Sequence, residues 1–145
     1  MLSRIRPHSE SEIGDLLRDH GVHPTAQRVA VAYALFNRGT HLAAEDLYQL
    51  VKSNGTRVSK ATVYNTLGAL AKKGVIREVI ADPNRVFYDP NTSPHHHFYN
   101  ETTGELTDIS VTEVEVTGLP QLPTGVELHG IDVIFRLRPK KIRAG

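Results

Sequence analysis

The 145-residue sequence contains no cysteine. This absence excludes disulfide bonds, thiolate metal sites and cysteine-based catalysis. No stretch approaches the roughly 20 apolar residues of a membrane-spanning helix, and the segment 1–7 lacks the apolar run of a secretory signal. We therefore expect a soluble, cytoplasmic protein without a membrane partner. Any metal ion must be held by imidazole and carboxylate groups, which suit Fe, Mn, Zn or Ni.

Positive charge is scarce in one part of the chain, although the net charge is only +1. Residues 1–90 carry 12 Lys and Arg against 9 Asp and Glu, whereas residues 91–135 carry 7 acids and no Lys or Arg. The same stretch, 91–135, holds four of the eight histidines. Residues 1–90 are therefore suited to binding the phosphate groups of a nucleic acid, and residues 91–135 are suited to binding cations.

Four helices and a hairpin are predicted in residues 9–89. Ser9 with Glu12 forms a capping box, Ser59 is a good N-cap, and apolar residues recur at helical spacing. The predicted inward faces are Ile13, Leu16 and Leu17; Val29, Ala32, Tyr33 and Phe36; Ala44, Leu47, Tyr48 and Val51; and Val63, Leu67 and Leu70. Two short strands, 75–80 and 85–89, flank a turn at 82–84. This order is typical of a winged helix-turn-helix, and by periodicity alone it also fits a generic small helical domain with a hairpin.

A second domain is predicted after the turn-rich segment 89–94. Strands are expected at 95–100, 105–109 and 131–138, with a short helix over 110–118 and an alternating apolar face formed by Ile131, Val133, Phe135 and Leu137. The fold class is α+β. Its predicted parts are a winged-helix DNA-binding domain at 1–89, a hinge at 90–94, and a small α/β dimerisation and metal-sensing lobe at 95–145. Because three strands and one helix make a thin lobe, we expect a homodimer.

The segment 57–67 is predicted to read DNA. Val63 and Leu67 face inward, which leaves Lys60, Thr62, Tyr64 and Asn65 outward. The N-terminal turns of such a helix enter the major groove, where Arg57 and Lys60 add charge and Asn65 can pair with an adenine edge. A solvated helix face is the equally good alternative on charge alone.

The triplet 95–97 is the most informative candidate for metal binding. On a strand, His95 and His97 point to the same face and His96 to the opposite face. Two imidazoles on one face can chelate an ion. The alternatives are a polar strand edge or an artificial tag, and three internal histidines are too few for a tag.

Three motifs in register resemble the ferric uptake regulator superfamily: T-x-Q-R at 25–28, H-x-x-A-E-x-L-Y at 41–48, and S-x-A-T-V-Y-x-x-L at 59–67. The resemblance implies a metal-sensing transcriptional regulator that binds a double-stranded DNA operator as a dimer. It implies a DNA contact by Tyr64 and a minor-groove position for His23, with Arg28 and Ser59 as further candidates.

The resemblance also implies a regulatory metal site. Its ligands are His41, Asp89, His95, His97 and Asp108, which suit Fe(II) or Mn(II) and which Zn can also occupy. We expect an ion bound by all five to fix the angle between the domains and hence the spacing of two recognition helices. A second metal site is predicted at His96, Glu115 and His129, with Glu113 or Glu127 as substitutes for Glu115.

The sequence departs from most of the superfamily at the positions of the structural zinc. The first cysteine pair would fall at Asn100 and Thr103, and the chain has no cysteine there. This loss, the histidine triplet and the ending 131–139 resemble the Irr branch, which implies a role in iron and haem homeostasis and possible haem binding by the histidines. A metalloenzyme using the histidine and aspartate cluster, or a constitutive DNA-binding protein with structural histidines, are the alternatives from other functional classes.

Overall fold

The structure is a computed structural model that describes residues 8–142. It divides into two compact units, one ending at Thr92 and the other beginning at Ser93. This boundary falls in the segment 90–94, whose role as a hinge stays a prediction. The outer ends of the two predicted domains, with the segment 1–7, lie outside the described residues. No helix within residues 8–142 is long and apolar enough to cross a membrane.

The N-terminal unit is built on four helices: α1 (Glu10–Asp19), α2 (Ala26–Arg38), α3 (Ala44–Ser53) and α4 (Lys60–Lys72). The side chains of Ser9, Thr25 and Ser59 accept hydrogen bonds from backbone N–H groups in the first turns of α1, α2 and α4. These caps satisfy donors that the helices leave open. Helices α1 and α4 therefore begin where the sequence predicts.

The core of this unit lies between the four helices. Its fully buried side chains include Ile13, Leu17, Val31, Leu35, Leu47, Val51, Val63, Leu67 and Leu70. The predicted inward face of α2 is fully buried at Ala32, and its other three members, Val29, Tyr33 and Phe36, are half-buried against the core. The prediction was incomplete, because it omitted the fully buried Val31 and Leu35. The reason is that α2 contacts α1, α3 and α4. A helix packed on several sides buries more than one stripe.

A three-stranded antiparallel sheet forms the wing, in the order β1 (Leu42–Ala43), β3 (Arg85–Asp89), β2 (Arg77–Asp82). The hairpin between β2 and β3 was predicted, and Asp82 Oδ1 closes its turn by accepting from Asn84 N at 2.8 Å. Strand β1 was not predicted, because two residues carry no periodicity. It pairs Leu42 with Tyr88 and Ala43 with Phe87.

The C-terminal unit contains a second sheet with β4 (His95–Asn100) at its centre. Strand β5 (Leu106–Ser110) pairs antiparallel to one edge and β6 (Ile134–Leu137) pairs parallel to the other. The turn between β4 and β5 is closed by Asn100, whose Oδ1 accepts from Thr102 N at 2.9 Å and Thr103 N at 3.0 Å. The turn at the expected zinc-pair position is thus held by the chain's own hydrogen bonds.

The predicted helix over 110–118 is wrong. The structure has one 3₁₀ turn at Val111–Glu113, followed by irregular chain up to β6. Val111, Thr112, Val114, Val116 and Thr117 are β-branched, and Gly118 and Pro120 follow them. Such a composition has low helix propensity, and tertiary burial does not compensate because most of the segment is exposed.

Candidate metal centre and nucleic-acid interface

Two imidazoles and a carboxylate share one face of the C-terminal sheet. Antiparallel register pairs His97 directly with Asp108, and His95 lies two residues before His97 on the same face. His97 Nε2 lies 3.3 Å and His95 Nε2 3.7 Å from Asp108 Oδ1. The predicted separation of His95 and His97 from His96 is therefore confirmed by the contacts that these rings make.

The orientation of the His95 ring follows from a hydrogen bond to the backbone. Its Nδ1 lies 2.7 Å from the carbonyl oxygen of Ser93. Because a carbonyl can only accept, Nδ1 donates this hydrogen bond, and the ring is held with Nε2 toward Asp108. Such outer hydrogen bonds fix the tautomer of metal-ligating histidines in general.

The distances fit a common ion. Bonds of about 2.1 Å to one cation separate neighbouring donor atoms by roughly 3.0–3.4 Å. The separation of 3.3 Å between His97 Nε2 and Asp108 Oδ1 lies in this range, and the 3.7 Å of His95 is slightly longer. His97 is fully buried while the Asp108 side chain is 51% exposed. Two imidazole nitrogens and one carboxylate are a donor set for Fe(II), Mn(II) or Zn(II).

A second, smaller donor pair lies within the N-terminal unit. Because β1 and β3 pair antiparallel with Leu42 opposite Tyr88, His41 follows opposite Asp89. His41 Nδ1 lies 4.0 Å from Asp89 Oδ2, and both side chains are buried to 90% or more. Asp89 Oδ1 accepts from Asn91 N at 2.9 Å, which fixes the carboxylate with its other oxygen toward His41. The strand that sequence analysis missed is thus the element that positions His41.

The three residues of the predicted second metal site do not come together in the described part of the chain. Among residues 8–142, no group of potential metal ligands with donor atoms within 4.8 Å of one another includes His96, Glu115 or His129. His96 Nδ1 accepts from Val133 N at 3.2 Å, and both Glu115 and His129 are exposed in irregular chain. Binding at Nδ1 would break this hydrogen bond. Glu113 and Glu127, the predicted substitutes, are exposed as well. The second site stays a prediction.

The outer face of α4 matches the predicted reading face in part. Tyr64 is 40% exposed and Asn65 is exposed beside it, one turn from the N-terminus of the helix. Ser59 and Thr62 are engaged with each other: Ser59 Oγ accepts from Thr62 N at 3.1 Å and lies 2.8 Å from Thr62 Oγ1. Their hydroxyls therefore serve the cap of α4.

Glu45 of α3 is a residue that sequence reasoning missed. Its carboxylate forms an ion pair with Lys60, and its Oε2 accepts from the Tyr64 hydroxyl at 3.2 Å. The hydrogen bond with Lys60 is the main cause that lowers the pKa of Glu45, and the same bond raises the pKa of Lys60. Desolvation raises the pKa of Tyr64. The available signal was the Glu in the motif at 41–48, which the sequence analysis left without a role.

The remaining DNA candidates lie at the starts of α2 and α4. His23 is exposed, and Arg28 Nη1 donates to the His23 carbonyl at 3.0 Å, so Arg28 orders the chain that enters α2. Arg57 is exposed and lines a depression of about 720 Å³ with residues of α1 and α2. Both arginines belong to the N-terminal unit, which also contains the predicted DNA-reading face of α4.

Helices α3 and α4 followed by a wing define a winged-helix DNA-binding protein, and the imidazole and carboxylate groups are of the kind that can hold a metal ion. Residues 19–136 match the ferric uptake regulator family. The chain belongs to this family. It is a metal-responsive, DNA-binding transcriptional regulator and not an enzyme.

Individual relatives agree with this assignment. The chain is 30% identical over 132 residues to a peroxide operon regulator of Bacillus subtilis, covering 86% of this chain and 91% of that protein. It is also 30% identical over 113 residues to the peroxide-responsive repressor PerR of Staphylococcus aureus, covering 77% of this chain and 76% of the repressor. Among solved structures, the manganese-containing ferric uptake regulator of Pseudomonas aeruginosa has the same fold, with a TM-score of 0.68, 24% identity, and 88% and 98% of the two chains covered.

Proposed function

We propose that His41, Asp89, His95, His97 and Asp108 ligate one divalent cation, and that occupancy of this set changes operator affinity. Each unit contributes part of the ligand set: His41 and Asp89 from the N-terminal unit, the other three from the C-terminal unit. Binding that engages both parts favours one state of the hinge at 90–94 over others. The occupied set thereby selects the spacing of two recognition helices in a dimer on DNA.

One observation carries the proposal. His95 Nε2 and His97 Nε2 both face the carboxylate of Asp108, at 3.7 Å and 3.3 Å from its Oδ1, and the other ring nitrogen of His95 is engaged with the Ser93 carbonyl. A cation among these three atoms would be coordinated by both imidazole nitrogens and by the carboxylate oxygen. The buried pair of His41 and Asp89 offers one further nitrogen and one further oxygen.

The chemistry of the donors favours Fe(II) or Mn(II) as the physiological ion, with Zn(II) able to occupy the same ligands. Three nitrogens and two oxygens without sulfur suit ions that accept more than four ligands, whereas a structural zinc site is usually tetrahedral. The similarity to peroxide-responsive regulators supports a role in the response to peroxide, and the favoured ions suggest a role in iron or manganese homeostasis. A role in the manner of the Irr branch, with haem as the effector, rests on the resemblance of the sequence alone.

Homodimerisation is proposed for the C-terminal unit. Its described residues bury only a few apolar side chains, Tyr99, Leu106 and Ile109. Many others are exposed: Phe98, Val111, Val116, Leu119, Leu122, Val126, Leu128, Ile131, Phe135 and Leu137. The predicted apolar face that includes Phe135 and Leu137 is therefore not buried within the chain. Contact with a second copy would remove this surface from water.

The test combines metal binding and DNA binding on the same samples. The operator is first selected from random duplexes by the metal-loaded protein. Metal content is then measured by mass spectrometry, and operator affinity by fluorescence anisotropy at one salt concentration with and without Mn(II). We expect His97→Ala to lose most of the metal and the metal dependence of operator affinity.

A matched histidine outside the ligand set serves as the control. His20, at the C-terminus of α1, hydrogen bonds to Leu16 O, and His20→Gln is expected to keep both metal and response. Circular dichroism of both variants checks the fold. Equal operator affinity with and without metal in the wild-type protein would contradict the proposal and favour constitutive DNA binding.

A further inference from the structure

The carboxylate of Glu45 contacts two side chains in the first turns of α4, the predicted recognition helix (called the reading helix below), and one side chain on its own helix, α3. Its Oε2 meets Lys60 Nζ and the Tyr64 hydroxyl, and its Oε1 accepts from Gln49 Nε2 at 3.4 Å. Lys60 and Tyr64 lie one turn apart on α4, and Lys60 Nζ is 5.8 Å from the centre of the Tyr64 ring. The cation is thus held between a carboxylate and an aromatic face.

This arrangement reduces the positive charge that α4 can place against the phosphate groups of DNA. A lysine at the first position of a reading helix normally adds a mobile cation that meets phosphate of any sequence. Lys60 is instead paired within the unit, and its engagement with phosphate requires that the bond to Glu45 be given up. Binding to non-operator DNA, which depends on phosphate contacts, loses this cation, whereas operator binding leaves Lys60 paired with Glu45 and relies on contacts of Tyr64 and Asn65 with base edges.

We propose that Glu45 is a specificity-determining residue: it holds Lys60 against Tyr64 and so withholds one cation from the phosphate backbone. The inference rests on the proposed DNA-binding function and assigns Glu45 a role that no motif supplies. Glu45 acts through Lys60 and is a positioning residue for the reading helix. Its effect is to weaken binding to non-operator DNA more than binding to the operator.

Glu45→Ala tests this role on the full-length, Mn(II)-loaded protein. Affinity for the selected operator and for a scrambled duplex of equal length is measured at several KCl concentrations. Each phosphate neutralised adds about 0.9 to the magnitude of the slope of log K against log[salt]. We expect the slope on scrambled DNA to steepen by about 0.9 in Glu45→Ala, and the ratio of operator to scrambled affinity to fall by roughly threefold or more.

Asp46→Ala is the matched control, because Asp46 is the neighbouring exposed acid in the first turn of α3. It removes the same charge from the same turn, and we expect a clearly smaller change of slope. In a protein that also carries Lys60→Met, Glu45→Ala and Asp46→Ala should change the slope equally, because the cation that Glu45 holds is no longer present. The inference would be overturned if Glu45→Ala and Asp46→Ala changed the slope equally while Lys60 is present. It would also be overturned if Glu45→Ala still steepened the slope after Lys60→Met.

The two proposals fail in different ways. If the metal-loaded wild-type protein binds the selected and scrambled duplexes equally at every salt concentration, the proposed operator-binding function is wrong. If the wild-type protein discriminates and the coupling between Glu45 and Lys60 is absent, only the role of Glu45 is wrong. Circular dichroism and thermal unfolding confirm that each variant is folded.

Discussion

His97 and Asp108 face each other across β4 and β5 as direct partners in the ladder, with 3.3 Å between Nε2 and Oδ1. His97 is fully buried, whereas Asp108 keeps half of its side chain exposed. The pair therefore combines a rigid nitrogen with a carboxylate that an ion can reach from solvent. Because His97 is buried, replacing it affects both the fold and the proposed metal binding. Because Asp108 is exposed, replacing it should affect metal binding alone.

Asp108→Asn is expected to weaken metal binding by at least about tenfold without lowering thermal stability, because the exposed amide keeps the size of the side chain and loses the charge. Isothermal titration with Mn(II) and thermal unfolding of the metal-free protein measure the two effects. Asp132→Asn, at an exposed aspartate of the same unit, is the control and should leave affinity unchanged. Unaltered Mn(II) affinity in Asp108→Asn contradicts the assignment of this ligand.

Asn65→Ala is expected to weaken operator binding by about 1–3 kcal/mol and to relax discrimination at one base pair, with metal content unchanged. Asn65 is exposed on the outer face of α4, so the change removes no buried contact. Anisotropy with the operator and with single base-pair variants measures the effect. Lys72→Ala, in the last turn of the same helix, should weaken all duplexes alike or none. Loss of affinity without any change in base preference would refute direct reading by Asn65.

Ser59→Ala is expected to destabilise the N-terminal unit by about 1 kcal/mol, because Ser59 Oγ caps α4 by accepting from Thr62 N. Ser59→Asp keeps an acceptor at the cap and should retain stability, yet its charge lies at the helix end that approaches phosphate. We therefore expect weaker DNA binding from Ser59→Asp at undiminished stability. Urea unfolding and anisotropy separate the two effects, and parallel losses in both variants would contradict the prediction.

Tyr88 is expected to titrate above its ordinary value near 10, because burial and then the charge of Glu78 raise the pKa of its hydroxyl. A raised pKa in the folded state means that the neutral form is favoured by folding. This contribution to stability is complete below pH 10 and is lost as pH rises from there through the folded-state pKa. The difference between absorbance titrations of the wild-type protein and Tyr88→Phe isolates this group. A midpoint at or below 10 would disprove the shift.

Local signals predicted much of the N-terminal unit. Ser9 and Ser59 cap helices where their spacing to an apolar run indicates, and the turn at 82–84 joins two strands as predicted. These features depend on neighbours within a few residues, so the sequence contains them directly. The centre of α2 and strand β1 could not be predicted, because burial on several sides and a two-residue pairing arise from elements distant in the chain.

In the C-terminal unit, local sequence patterns predicted the alternation of the histidines but not the structure of 110–118 or the pairing of β6. The alternation of His95, His96 and His97 was predicted from strand geometry, and the contacts of the three rings agree with it. A short helix over 110–118 was predicted, whereas the structure has one 3₁₀ turn there, and the composition of that segment does not favour a helix. The pairing of β6 parallel to β4 also depends on a connection of more than twenty residues, which carries no periodic signal.

The sequence alone determined the helix caps, the apolar stripes, the side chains able to bind a cation without cysteine, and the motifs that identify the family. Only the tertiary structure decided which of these groups meet. The register between β4 and β5 places Asp108 opposite His97. The pairing of β1 with β3 places His41 opposite Asp89. The packing of α3 against α4 allows Glu45 to form an ion pair with Lys60. Side-chain chemistry is a property of each residue, whereas proximity between distant residues is set by the backbone pairing and burial of the whole unit.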